Sequence, residues 1–166
     1  MRKRIISTLI GDVLLSVQSG RLCAVSILTR KAEIISDDDP VLDEAQRQII
    51  QYLNGERQSF DLPLEMRGSA FDCAVWRMLQ KIPYGEVWSY GRLAAALGRP
   101  KASRAVGGAC SRNPLMIVVP CHRVIAATGR LTGFAAGLEA KKTLLGCEGW
   151  IIENGKIQNK HKELPD

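Results

Sequence analysis

Residues Ile117-Val118-Val119-Pro120-Cys121-His122-Arg123-Val124 set an apolar run against a proline, and then place a cysteine beside a histidine and an arginine. β-Branched residues bounded by a proline predict a buried strand, with Cys121 emerging at its end in a position fixed by packing. Such a thiol has two readings. Free cysteine is among the most buried residue types and fills core space inertly. The cationic company of His122 and Arg123 instead favours the thiolate, the form that reacts.

At 166 residues the chain holds one ordinary domain or two small ones with a joint core. No apolar run is long enough to cross a bilayer, and the segment after Arg2, Lys3 and Arg4 turns polar before a signal core develops, so the chain reads as cytoplasmic and without a membrane partner. Its five cysteines are odd in number and scattered, with no Cys-x-x-Cys pair and only His122 and His161 as histidines, which argues against a disulfide framework and a zinc site. The net charge of +6 permits a polyanionic partner without requiring one. Its placement says more: Lys101, Arg104 and Arg112 share a stretch without acids, and Arg92, Arg99, Arg123 and Arg130 are near in sequence, as a solvated face or as a footprint for phosphates.

Residues 5–18 and 22–28, separated by Gln18-Ser19-Gly20-Arg21, predict a hairpin. Pro40 suits the first turn of a helix whose apolar positions run Val41, Leu42, Ala45, Ile49, Ile50 and Leu53 until Gly55 stops it. Phe60 to Leu64 reads as an edge strand or crossing linker. Residues 1–66 thus form a small strand-rich scaffolding domain, and residues 67–166 a mainly helical one, for an α+β fold class.

In the second unit Ser69 caps a helix carrying Phe71, Val75 and Leu79. Ser89 caps a short helix from Tyr90 to Leu97, closed by Gly98. Another helix occupies roughly Lys101 to Ser111, ending before Asn113-Pro114. Two short helices joined by a glycine-containing turn predict a helix-turn-helix, a weak pattern taken alone. Its second helix is nearly bare: Ala102, Ala105, Gly107, Gly108 and Ala109. Since glycine costs about 1 kcal/mol inside a helix relative to alanine, the glycine pair needs a reason, either close packing or approach to a narrow groove. Further on, Gly129 and Gly133 predict a hinged loop. A helix from about Gly137 to Gly146 turns Leu138, Leu144 and Leu145 inward and Lys141 and Lys142 outward, with Glu148 just beyond it. Asn154-Gly155 predicts a hairpin turn, and His161 to Asp166 a frayed end.

A hydrolase built on Cys121 needs a histidine in reach of the sulfur. Neighbours on a helical turn point about 100 degrees apart, so His122 does not pair with it directly, and His161 is in the tail. A base acting through water suits a nucleophile that fires once. Pro120-Cys121-His122-Arg123-Val124, preceded by Asn113-Pro114 and by Arg104-Ala105-Val106-Gly107-Gly108-Ala109, resembles the O6-alkylguanine-DNA alkyltransferases. The resemblance runs from Phe71 and Trp76 through Ile82-Pro83-Tyr84-Gly85-Glu86 and Ser89-Tyr90 to Leu144-Leu145 and Glu148-Gly149.

That resemblance implies a ribonuclease-H-like first domain and a second carrying a helix-turn-helix and a short active-site strand. It implies a monomeric suicide repair protein, with no cofactor or metal, that binds double-stranded DNA through the minor groove, with cooperative binding of neighbouring molecules left open. The protein would flip O6-alkylguanine out of the stack and move the alkyl group irreversibly onto Cys121, with O4-alkylthymine as a further substrate to be tried. His122 and Glu148 match the water-linked relay that withdraws the thiol proton. Tyr90 matches the phenol that donates to the leaving guanine. Asn113 matches the side chain that ties the helix pair to the active-site strand, and the carbonyls of Cys121 and Val124 the readers of the guanine amino group. Arg104 matches the finger that fills the vacated space. Ser89, Ala102, Ala105, Gly108 and Arg123 join it in contacting DNA. Trp76, Cys110, Pro120, Val124, Phe134 and Ala135 form the substrate pocket. Two departures mark this chain: Phe134 and Ala135 stand where many relatives carry tyrosine and serine, and Cys110 where methionine is frequent. A reader of alkylated DNA that does no chemistry is the main rival. Proteins similar in fold that behave so carry tryptophan at the cysteine position, and Cys121 discriminates against that reading.

Overall fold

In a computed structural model, which describes residues 1–158, the first apolar run breaks where the sequence predicts continuity. Strands β1 (Arg2–Thr8) and β2 (Gly11–Gln18) pair antiparallel, and β3 (Arg21–Ile27) follows β2, so the expected hairpin is a three-stranded sheet in the order β1-β2-β3. The extra turn is local chemistry. Gly11 takes φ +107, which side chains rarely adopt, and the Thr8 hydroxyl donates to the Gly11 carbonyl at 2.7 Å while accepting from Ile10 N–H at 3.2 Å.

Helix α1 (Pro40–Leu53) starts at Asp39, whose carboxylate accepts from the amides of Val41 and Leu42, and lays Leu42, Ala45, Ile49, Tyr52 and Leu53 inward. Phe60 to Leu64 is the crossing linker: Leu22 N–H donates to the Pro63 carbonyl at 2.8 Å and Glu65 N–H to Leu22 at 2.9 Å, along the free edge of β3. The same edge receives the segment before the cysteine. Val25 N–H donates to the Pro114 carbonyl at 2.9 Å, and Met116 N–H to Val25 at 3.0 Å. β3 is thus covered by chain from both halves, which removes an exposed sheet edge and fixes the approach to Cys121.

Helix α2 (Ala70–Leu79) is capped by Ser69, and α3 (Tyr90–Ala96) by Ser89. After the turn at Gly98, φ +74, helix α4 (Ser103–Ser111) begins two residues later than the sequence predicts and without a side-chain cap. The predicted strand at Ile117–Val119 does not form. Its edge partners are absent because β3 pairs with residues 114–116 instead, and Ile117 turns the chain with φ +73. A β-branched residue in that region costs on the order of 1–3 kcal/mol and persists where its surroundings impose it. Here burial of the side chain and the 2.8 Å bond from Val119 N–H to the Leu115 carbonyl do so.

Cys121–Arg123 then form one 3-10 turn, followed by the short strand β5 (Val124–Ile125), parallel to β4 (Trp88–Ser89). Helix α5 (Leu138–Cys147) is rotated from its expected face. Leu138 is exposed, while Lys141, Leu144, Leu145 and Glu148, at helical spacing, point inward. Strands β6 (Ile152–Glu153) and β7 (Lys156–Ile157) make the hairpin signalled by Asn154-Gly155, both with positive φ. His161 and the expected frayed tail lie outside the described residues. One apolar cluster joins the sheet, α1, α2, α4 and the cysteine turn, including Leu15, Ile49, Trp76, Val106, Leu115 and Cys121. Among the described residues no helix is long and apolar enough to cross a membrane.

Candidate active site

Cys121 opens the 3-10 turn only 6% exposed, its amide bonded to the Val119 carbonyl at 2.8 Å. Asn113 fixes the turn from the end of α4. Its Nδ2 donates to the Val119 carbonyl at 2.8 Å and to Cys121 Sγ at 3.1 Å, and its Oδ1 accepts from Leu115 N–H at 2.9 Å. Burial pushes the Cys121 thiol up, opposed by the Asn113 bond and by the charge of Lys141. The resting group is therefore a thiol that needs a base. The cation acting on it is neither of its sequence neighbours: Lys141, on α5, supplies the charge expected of His122 and Arg123.

His122 is fully buried, and burial lowers its affinity for a proton against the pull of Glu148. Its Nε2 lies 2.9 Å from Glu148 Oε2, and its Nδ1 has no hydrogen-bond partner in the protein. Glu148, the C-cap of α5, also accepts from Arg123 Nε at 2.9 and 3.0 Å and from Gly85 N–H at 2.8 Å. Burial would raise this carboxyl; the His122 and Arg123 bonds and charges outweigh it and hold it well below the usual carboxylate range. A low Glu148 drawn from a cationic His122 conflicts with a His122 kept neutral by burial. Arg123, always charged, is the partner that compensates Glu148 at neutral pH, with His122 a neutral Nε2–H donor.

Arg123 was expected at the DNA surface and is instead buried, its Nη1 donating to the Ile82 carbonyl at 2.7 Å. Trp76, expected in the substrate pocket, is buried under α4, with Nε1 donating to the Ala109 carbonyl at 2.9 Å. Lys141, expected outward, is fully buried and donates to the carbonyls of Val124 at 2.6 Å and Thr132 at 2.8 Å, so one lone pair of the Val124 carbonyl is already engaged. Tyr90, at the first position of α3, donates to the Thr132 carbonyl at 3.3 Å, and burial raises its phenol, keeping it protonated. Cys110, Pro120 and Val124 are buried around the turn, Phe134 is half-buried and Ala135 exposed. Burial pushes the Cys110 thiol up to about 12, with Cys121 adding to the effect, which leaves it inert. Arg104 and Ala105 are exposed on α4; Ala102, Gly108 and Ser89 are half-buried beside them.

The glycine pair of α4 is explained from inside only in part. A Cβ on Gly107 would sit 3.8 Å from the Tyr90 ring, an ordinary contact, whereas one on Gly108 would crowd Arg112 Nη1 at 3.1 Å, in a guanidinium held to Asp72 by bonds of 3.0 and 2.8 Å. A cleft of about 650 Å³, lined by Phe60, Leu62, Tyr84, Pro120 and Arg123 among others, lies behind the turn and does not include Cys121. Sequence reasoning missed Tyr52 of α1, whose hydroxyl is 2.5 Å from Glu148 Oε2 and 3.1 Å from His122 Nε2. The available signal was a tyrosine in a core stripe, whose buried hydroxyl requires a partner.

At the site a buried thiol stands beside a histidine fixed by a carboxylate, and the nearby α4 carries one exposed arginine on an otherwise small-residue surface. The description "6-O-methylguanine DNA methyltransferase, ribonuclease-like domain" matches residues 1–66, and "6-O-methylguanine DNA methyltransferase, DNA binding domain" matches residues 70–150. The chain is 47% identical over 145 residues to the methylated-DNA--protein-cysteine methyltransferase of Methanosarcina acetivorans, covering 84% of this chain and 93% of that protein. It is 42% identical to the inducible enzyme of that name from Bacillus subtilis, covering 87% and 82%. The crystal structure of Mycobacterium tuberculosis OGT in complex with DNA superposes with a TM-score of 0.81 at 40% identity, covering 89% and 92%. The chain belongs to the 6-O-methylguanine DNA methyltransferase family.

Proposed function

We propose that this protein repairs DNA by moving the alkyl group of O6-alkylguanine onto Cys121, once per chain. The observation that carries the reading is the juxtaposition at the 3-10 turn of a buried thiol with a neutral histidine whose Nδ1 is unengaged. The thiol proton passes through a water to His122 Nδ1, and the resulting imidazolium is held by Glu148. The thiolate, supported by Asn113 and Lys141, attacks the alkyl carbon; the bond from that carbon to O6 breaks and its electron pair stays on the guanine. Tyr90 donates a hydrogen bond to the guanine as negative charge develops there, and the guanine anion takes up a proton from solvent as the imidazolium releases its own. The product is a thioether, which neutral water does not hydrolyse, so the protein does not turn over.

DNA is met by the helix-turn-helix of α3 and α4. The smooth surface of α4 enters the minor groove, and the exposed Arg104 fills the space left when the base flips out. Incubation with an oligonucleotide containing O6-methylguanine will add one methyl group per chain to the Cys121 peptide, read by mass spectrometry. No label, label on Cys110, or more than one transfer per chain would refute the assignment.

A further inference from the structure

We propose that Tyr52, contributed by the N-terminal half, is a positioning residue of the transfer: its hydroxyl fixes the tautomer of His122 and sets how strongly Glu148 holds the imidazole proton. The proposal rests on the reading of Cys121 as nucleophile and His122 as its base. Glu148 Oε2 is met by Tyr52 at 2.5 Å and by His122 Nε2 at 2.9 Å, and the two donors are 3.1 Å apart. An ionised carboxylate only accepts, so the single phenol proton points at Oε2 and the phenol oxygen presents lone pairs to Nε2. Burial first, and then the charge of Glu148, push the phenol far above its usual range, so that proton does not leave. Two acceptors therefore face Nε2, which must carry hydrogen, and Nδ1 is left as the bare nitrogen that takes the thiol proton.

Tyr52 also competes for the charge on which the imidazolium depends. The groups facing His122 are Tyr52 on α1, Lys141 on α5, Glu148 at its C-cap and Arg123 on the same turn; Tyr84 and Cys147 lie beside Tyr52. Each donor on Glu148 lowers its pull on the Nε2 proton. Removing the phenol donor strengthens that pull, while removing the phenol acceptor weakens the support of the imidazolium. The first effect is larger, because the carboxylate is a charged acceptor at 2.9 Å and the phenol a neutral one at 3.1 Å. The N-terminal half is then part of the transfer machinery as well as a scaffold.

The test is the single-turnover rate of methyl transfer against pH in the full chain. Tyr52→Phe keeps the ring that packs 5.3 Å from Phe60 and 6.2 Å from Tyr84. His122 must be neutral to act, so a more basic His122 moves the acid limb of the profile to higher pH, by about one unit for the loss of one hydrogen bond to a charge. Replacement of Tyr52 by a ring-fluorinated tyrosine, a stronger donor of nearly the same shape, moves the limb to lower pH, and so tests the idea even if the phenylalanine variant does not fold. DNA affinity stays unchanged in both. A lower stability with an unmoved limb in the variants that fold would make Tyr52 a packing residue and overturn the proposal. Absence of methyl on Cys121 in the unaltered protein would instead overturn the repair function itself.

Discussion

Lys141 brings an ammonium into a place where two carbonyls, not a carboxylate, receive it. Burial lowers its affinity for a proton, to a value of about 8, against the opposing influence of Cys121 and Cys110. This charge offsets part of the burial penalty on the thiolate, and one unit of thiol pKa is worth about tenfold in thiolate population. Lys141→Met should therefore slow methyl transfer at pH 7 on the order of tenfold with DNA affinity unchanged; an equal rate would remove Lys141 from the chemistry. Stability gives a second readout with a definite sign. The folded value lies below the unfolded one of about 10.4, so the unfolded chain binds more protons in between and stability rises with pH across that window. Compared with Lys141→Met by urea denaturation, the unaltered protein should gain between pH 8 and about 10, and lose the advantage below pH 8 where both states are charged.

Helix α4 is where the demands of fold and partner separate. Replacing Gly108 by leucine should leave the helix in place, because the gain of about 1 kcal/mol in helix propensity offsets the shift asked of the Arg112 guanidinium, which lies 3.1 Å from the added Cβ and is paired with Asp72. Thermal stability should change little while affinity for duplex DNA falls tenfold or more, a misfit of about 1.4 kcal/mol. Unchanged DNA affinity would move the groove-facing surface to another element. Local signals of this kind were legible: the caps at Ser69 and Ser89, the stop at Gly55 and the Asn154-Gly155 turn each depend on neighbours within a few residues. The strand expected at Ile117–Val119 failed because a strand is defined by its partner, and β3 chose residues 114–116. The site divides in the same way. Cys121, His122, Asn113 and Glu148 come with a recognisable spacing and meet in space. Tyr52 lies 96 residues from Glu148, and nothing near Lys141 in sequence tells that α5 turns it inward.

The two halves share a polar cluster as well as a core. Glu148 receives Arg123 and His122 from the cysteine turn and the Gly85 amide within its own half, and Tyr52 of α1 from the other, so the carboxylate proposed for the relay also carries a bond between the halves. Separating the halves would take from Glu148 the Tyr52 bond alone, since Arg123, His122 and Gly85 stay with it, but would also expose the apolar core that α1 and the sheet share with α2, α4 and the cysteine turn. Calorimetry of the full chain at pH 7 should therefore show one unfolding transition, with the amides of α1 and α5 exchanging hydrogen at a common rate. Acid should undo both together. The Glu148 carboxyl is depressed in the folded state, so its contribution is complete above the unfolded value of about 4.3 and is lost as pH falls below it. Glu148→Gln, which cannot titrate, should lower stability at pH 7 and flatten the fall in Tm below pH 4, because the variant has already lost what acid removes. Two separate transitions would show that the halves unfold independently, and an acid limb of the same steepness in Glu148→Gln would remove Glu148 from the acid loss.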